Sequence, residues 1–304
     1  MKELINLQLM MLLLISMGLI LRKIKMVGKT GQKNLTSIVI NLILPCNIIC
    51  SFMVKFSHKI LRNFADILII SLILQLFCVL LGNLLYRRSS YQRQKCLRYA
   101  TICSNAGFLG NPIALGMYGN MGLTLASIYL IPQRIMMWSE GVSVFTEAPG
   151  KKEILKKIFS HPCIIACEIG LVLMVTGWSL PGFFNDAVTS LSNCNTAISM
   201  LVIGMILSDA DPRTLINKEI LFYTLVRLVV IPLAVLLPCC FFKLDSTVVG
   251  VSVILAAMPA GATTTILASQ YDCEEEFAVK LVIFSTVMSL ITTPLWGIVL
   301  HAVV

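Results

Sequence analysis

The sequence predicts an all-α integral membrane protein of ten transmembrane helices, arranged as two inverted five-helix repeats whose fourth and ninth helices are broken and cross. Three observations carry this reading. Hydrophobic residues make up 57% of the 304 residues and mean hydropathy is +0.88, more apolar surface than water tolerates around a folded chain. Charged residues amount to only 13% and gather in clusters separated by apolar runs of about 20 residues, the length of helix that crosses a ~30 Å hydrocarbon core. Lipid offers the backbone no hydrogen-bond partners, so each run must satisfy its own as a helix. Finally, the Lys and Arg clusters alternate in weight from loop to loop.

The apolar runs place the spans, in order, at 4–21, 35–54, 64–86, 99–118, 121–145, 161–179, 188–208, 217–241, 246–270 and 277–303. No basic region precedes the first and no small-residue cleavage site follows it, Arg22 and Lys23 coming next, so it reads as a span and not a leader. In the second, Pro45 stands between Asn41 and Asn47 and is expected to kink the helix and free the carbonyl of Asn41. The two asparagines either line a substrate path or bond between helices.

The fourth span reads Ser104-Asn105-Ala106-Gly107-Phe108-Leu109-Gly110-Asn111-Pro112. Asn111 before Pro112 is a helix-start signal, the amide capping free N–H groups and the proline fitting the first turn, which leaves the chain upstream unwound. The ninth span repeats this chemistry: Pro259 and Gly261 break it, and Thr263, Thr264 and Thr265 offer hydroxyls near a restarted turn. Pro132, Pro232 and Pro294 read as simple kinks in other spans. Gly/Pro-broken spans at corresponding places in two halves are the best sequence pointer to a transporter's binding site. A helix N-terminus at that depth presents unpaired amides and partial positive charge, which suits an anion.

One set of alternate loops carries 16 Lys and Arg residues, among them Arg22, Lys25, Arg93 and Lys152, whereas the other carries five. The basic side is normally cytoplasmic, which puts both termini outside a cell membrane crossed many times and accounts for the +9 net charge without nucleic acid. The Lys-rich stretch 146–160, holding Pro149-Gly150, divides the chain into a first repeat over 1–145 and a second over 161–304. Five spans per half is an odd number, so the second half starts from the opposite face.

Ionisable residues within spans are costly and therefore functional candidates: Arg134 and Glu140 in the fifth, Glu168 in the sixth, Arg227 in the eighth, Lys280 in the tenth. Lys280 and Glu140 stand near span ends, where a side chain can reach the interface. Glu168, Arg134, Glu140 and Arg227 are the candidates for coupling transport to a second ion. Most of the eleven cysteines lie inside apolar runs, with no CxxC and no Cys/His spacing, so no disulfide framework, metal or cofactor is expected. The absence of HExxH, GxSxG and paired-carboxylate patterns argues against an enzyme.

At Leu44-Pro45, the Ser104–Pro112 string followed by Tyr118-Gly119, His161-Pro162, Ile203-Gly204-Met205 and Met258-Pro259-Ala260-Gly261-Ala262, the chain resembles the auxin efflux carrier family, in the form lacking a long central loop. The resemblance implies a scaffold domain and a transport domain, with Asn105, Pro112 and Pro259 at a crossover of the two broken helices. It also implies an organic anion as substrate, auxin in some members and malate or malonate in others. Glu168 departs from the uncharged sixth span that the family leads one to expect. The resulting expectation is a carrier of a small organic anion working by alternating access, with Asn105, Gly107, Asn111, Pro112, Pro259, Gly261, Thr263, Thr264, Asn41 and Asn47 around the substrate. An ion-coupled symporter of another carboxylate class, or a sensor or channel on the same fold, is the alternative. Its partners are the anion and the bilayer, with pairing as a homodimer left open.

Overall fold

A computed structural model describes residues 2–53, 57–141, 143–145, 155–156, 158–208 and 216–303. Most of the 146–160 connection lies outside these residues, as do Lys55 and Arg213. Eleven helices make up the described chain: α1 Lys2–Lys23, α2 Lys29–Ser51, α3 His58–Leu85, α4 Tyr91–Ile102, α5 Ala106–Gly141, α6 Pro162–Thr176, α7 Gly182–Leu207, α8 Lys218–Phe241, α9 Ser246–Ala256, α10 Thr263–Gln270 and α11 Glu275–Val303. Six of them, α2, α3, α5, α7, α8 and α11, are long and apolar enough to cross a membrane. A left-handed Gly119 (φ +63°) divides α5 in two.

The surface is apolar and part of the interior is polar, the reverse of a water-soluble fold. On α3, Ile69, Ile73 and Leu80 are 55–62% exposed, whereas Ser71 and Gln75 are buried. Lipid takes the place of water against the first set, and a protein partner serves Ser71, whose Oγ donates to the Tyr129 carbonyl at 2.6 Å. Trp178, Phe183, Phe241 and Phe242 stand exposed around the α6–α7 connection and the end of α8, and the amphipathic indole of Trp178 suits a membrane interface.

Two packing groups result. In one, α1 lies along α7 and α2 packs on both α6 and α7. Backbone meets backbone there: a Cβ on Gly204 would run into the Ile15 carbonyl oxygen, and one on Gly18 into that of Leu201. In the other, α5 packs on α3 and α9, with α4, α8, α10 and α11 completing the group.

Three of the prolines follow widened turns. Each of three π-helical turns, Val39–Ile43, Ala106–Gly110 and Val226–Val230, ends two residues before a proline: Pro45, Pro112 and Pro232. A proline ring clashes with the carbonyl four residues back and donates nothing to it; widening the turn relieves the clash without stopping the helix. At Pro232 the deprived carbonyl is that of Leu228, and the Trp296 indole donates to it at 2.8 Å. The expected start of a helix at Asn111-Pro112 is thereby corrected. Asn111 is fully buried, already helical (φ −58°, ψ −47°) and caps nothing, because the π-turn carries the helix back to Ala106.

Candidate functional site

Two breaks meet at the centre of the second group. The first separates α4 from α5: Cys103 is extended (φ −108°, ψ 97°), and α5 begins after Asn105. The second separates α9 from α10 across Ala257–Ala262, where Pro259 and Gly261 deny the helix its continuation. The two extended tracts run antiparallel and pair as a two-residue sheet. Asn105 N–H donates to the Pro259 carbonyl at 2.8 Å and Gly261 N–H to that of Cys103 at 2.9 Å, with Ser104 opposite Ala260. The close approach requires glycine, since a Cβ on Gly261 would lie 2.9 Å from the Cys103 oxygen.

Backbone left open by the breaks is satisfied from three sides, as burial demands. Arg227, itself 2% exposed, donates from Nε to the Met258 carbonyl (2.8 Å) and from Nη1 to that of Thr101 (2.9 Å), tying the C-terminal ends of α9 and α4 together. Those ends carry partial negative charge, so a cation is the right clamp. Tyr223 Oη donates to the Ala100 carbonyl at 2.9 Å. Gln133 exchanges two bonds with Ser104, Nε2 to its carbonyl (2.8 Å) and Oε1 from its hydroxyl (3.0 Å), and Ser285 Oγ accepts from Ala260 N–H (3.2 Å).

The opposite pair of termini, the first turns of α5 and α10, starts at the crossover. In α10 the Thr264 and Thr265 amides already donate to the Gly261 and Ala262 carbonyls (3.0 and 3.2 Å), so what these ends offer an anion is chiefly the partial positive charge of a helix start. Beside them lies a cavity of ≈130 Å³ lined by Asn105, Gly107, Gly261 and Thr263 from the two breaks. Its other wall comes from the first packing group, with Ile40 and Leu44 of α2, His161 and Cys163 at the start of α6, and Val202 and Ile203 of α7. The cavity therefore sits between the two groups. Arg134 of α5 also lines it, buried at 6% exposure, with Nη1 lacking any hydrogen-bond partner.

A family model described as membrane transport protein matches residues 4–297. The chain belongs to this family, the auxin efflux carriers. It is 27% identical to an uncharacterized transporter of Methanothermobacter thermautotrophicus over 95% of this chain and 96% of that one. A second uncharacterized transporter, from Methanocaldococcus jannaschii, is 24% identical over 96% and 97% of the two chains. Auxin efflux carrier component 8 of Arabidopsis thaliana is 24% identical over 49% of this chain and 43% of its own.

In this member of the auxin efflux carrier family, five of the residues singled out from sequence meet at the cavity: Asn105, Gly107, Gly261, Thr263 and Arg134. Pro259 contributes its carbonyl to the crossover, and Pro112 lies buried in α5. Thr264 Oγ1 and both amide atoms of Asn111 are buried without partners. Asn47 bonds between helices, donating to Ser192 Oγ (3.0 Å) and accepting from Asn195 Nδ2 (3.2 Å) of α7. Asn41 is exposed and donates to Ser37 of its own helix. Glu168 is exposed on α6, and Glu140 stands 3.8 Å from Arg98. Lys280, as its position near a span end suggested, pairs with Glu276 one turn back. Sequence reasoning passed over Gln133, Ser285 and Tyr223 as partners of the breaks. A polar Gln beside Arg134 in an otherwise apolar run was the signal available for the first.

Proposed function

We propose that this membrane transporter is a secondary carrier of a small organic anion, working by alternating access around the cavity at the crossover. The observation that carries the proposal is the pairing of the two breaks: it aims the starts of α5 and α10 at one buried point, and two helix N-termini together favour negative charge. Counting α4 with the part of α5 before Gly119 as one passage, and α9 with α10 as another, the chain makes ten passages, five on each side of the 146–160 connection. We read these as two inverted repeats, 1–145 and 161–304, each giving helices to both packing groups. The group of α1, α2, α6 and α7 serves as the scaffold. The group holding the crossover moves against it, and the weight of Lys and Arg sets both termini outside. A cavity walled by both groups is where sliding would open one face and then the other.

Proteoliposomes preloaded with unlabelled indole-3-acetate or malonate should, for at least one of the two, accumulate the labelled compound by counterflow, with saturation. Uptake that is linear in concentration and indifferent to the internal load would instead mark a channel.

A further inference from the structure

Arg134 and Arg227 are both arginines buried inside membrane helices, and the structure treats them differently. Arg227 spends its Nε and Nη1 on the Met258 and Thr101 carbonyls. Arg134 leaves Nη1 without a partner, faces the cavity, and has as its polar neighbours the Cys163 thiol and the His161 imidazole of α6. Among the described residues no carboxylate pairs with it. A buried guanidinium without a counter-charge is strongly disfavoured, and such groups persist in membrane interiors for a partner or a function.

We propose that Arg134 is the fixed counter-charge of the transported anion and that it selects a monocarboxylate with an apolar body. This rests on the reading of the crossover as the anion site. The side-chain charge of the cavity is the argument: among the described residues Arg134 is the one lining Lys or Arg, and neither Asp nor Glu lines it. Among the side chains, a single carboxylate neutralises Arg134, and its two oxygens match the planar fork of a guanidinium, where a lysine ammonium offers only a point charge. Much of the remaining wall is Ile40, Leu44, Phe108, Val202, Ile203 and Ile266. An apolar body buries itself against that wall, while a second carboxylate would stand there desolvated and unpaired. Gln133, the neighbour of Arg134 in sequence, is bonded to Ser104 of the break, so the cation is held in register with the amides of the crossover.

The test is ligand binding to the purified full chain in nanodiscs, read as dissociation constants for hexanoate and indole-3-acetate against malonate and succinate. The wild type should bind at least one of the monocarboxylates and neither dicarboxylate at equal concentration. Arg134→Gln should weaken that binding by about tenfold to a hundredfold, the ordinary worth of a charge-assisted hydrogen bond, and Arg134→Lys should weaken it less. Tighter binding of malonate or succinate by the wild type overturns the inference, and so does unchanged monocarboxylate binding by Arg134→Gln. Should that variant fail to fold, the wild-type comparison and Arg134→Lys still decide. Asn105→Ala separates the two levels. If it weakens binding while Arg134→Gln does not, the crossover stands as the site and Arg134 falls. If neither variant matters, or no carboxylate binds the wild type, both readings fall.

Discussion

Asn47 and Asn105 are the same side chain, one inside α2 and the other in the break before α5, and their surroundings give them different work. The Asn47 amide is consumed by Ser192 and Asn195, joining α2 to α7, while Asn105 lines the cavity with its backbone already engaged by Pro259. Removing each should therefore act on a different quantity. Asn47→Ala strands buried polar partners and should cost about 1–3 kcal/mol of stability, read by thermal unfolding, with little change in the ligand affinity of the folded fraction. Asn105→Ala should weaken carboxylate binding by about tenfold to a hundredfold and leave the melting temperature nearly unchanged. If the two variants exchange these effects, their roles have been assigned the wrong way round. The sequence alone left both uses open for Asn47, because which helix faces it is a long-range fact. Asn105 drew attention in the sequence because it stands in a glycine-bearing tract, although the helix resumes as a π-turn at Ala106, directly after it.

At the scale of elements, the breaks could be read from composition while their edges could not. Asn-Pro marks a helix start only if the backbone stops there, and at Asn111-Pro112 a π-turn accommodates the ring and moves the start to Ala106. The same wide turn stands before Pro45 and Pro232, where a proline was expected to kink the helix. Packing between helices was less legible still, since small residues look alike whether they line a cavity or a contact. Gly204 makes a contact: any side chain there collides with the Ile15 carbonyl oxygen. Gly204→Val should push α1 away from α7 and destabilise the first packing group by about 1–3 kcal/mol or more. Hydrogen exchange should show faster opening in α1 and α7, with the crossover residues 103–105 and 258–261 retaining their protection. Equal loss at the crossover would mean that the two groups do not open independently.

Across the whole molecule, the clamp and the cavity divide the labour. Arg227, Tyr223, Gln133 and Ser285 hold the two breaks as one rigid piece, whereas the cavity wall is shared with helices of the other group. A rigid crossover facing a separable wall is the arrangement alternating access requires, because the site can keep its shape while its exit changes sides. Both the orientation, read from the alternation of basic loops, and the ten passages, read from the five-plus-five spacing of apolar runs, belong to the proposal. The exchange of bonds between residues 150 positions apart was beyond local reading. The central claim is that the cavity opens to each face in turn with an anion bound in it. The direct measurement is the labelling of Thr263→Cys, in a background freed of the native cysteines, by a membrane-impermeant maleimide applied to one face at a time. A cysteine at Lys25 serves as the cytoplasmic marker, labelled from inside alone. Thr263→Cys should react from both faces, and a carboxylate that the protein transports should slow the reaction from each. Reaction from one face only, or at a rate that no transported carboxylate alters, would contradict the account.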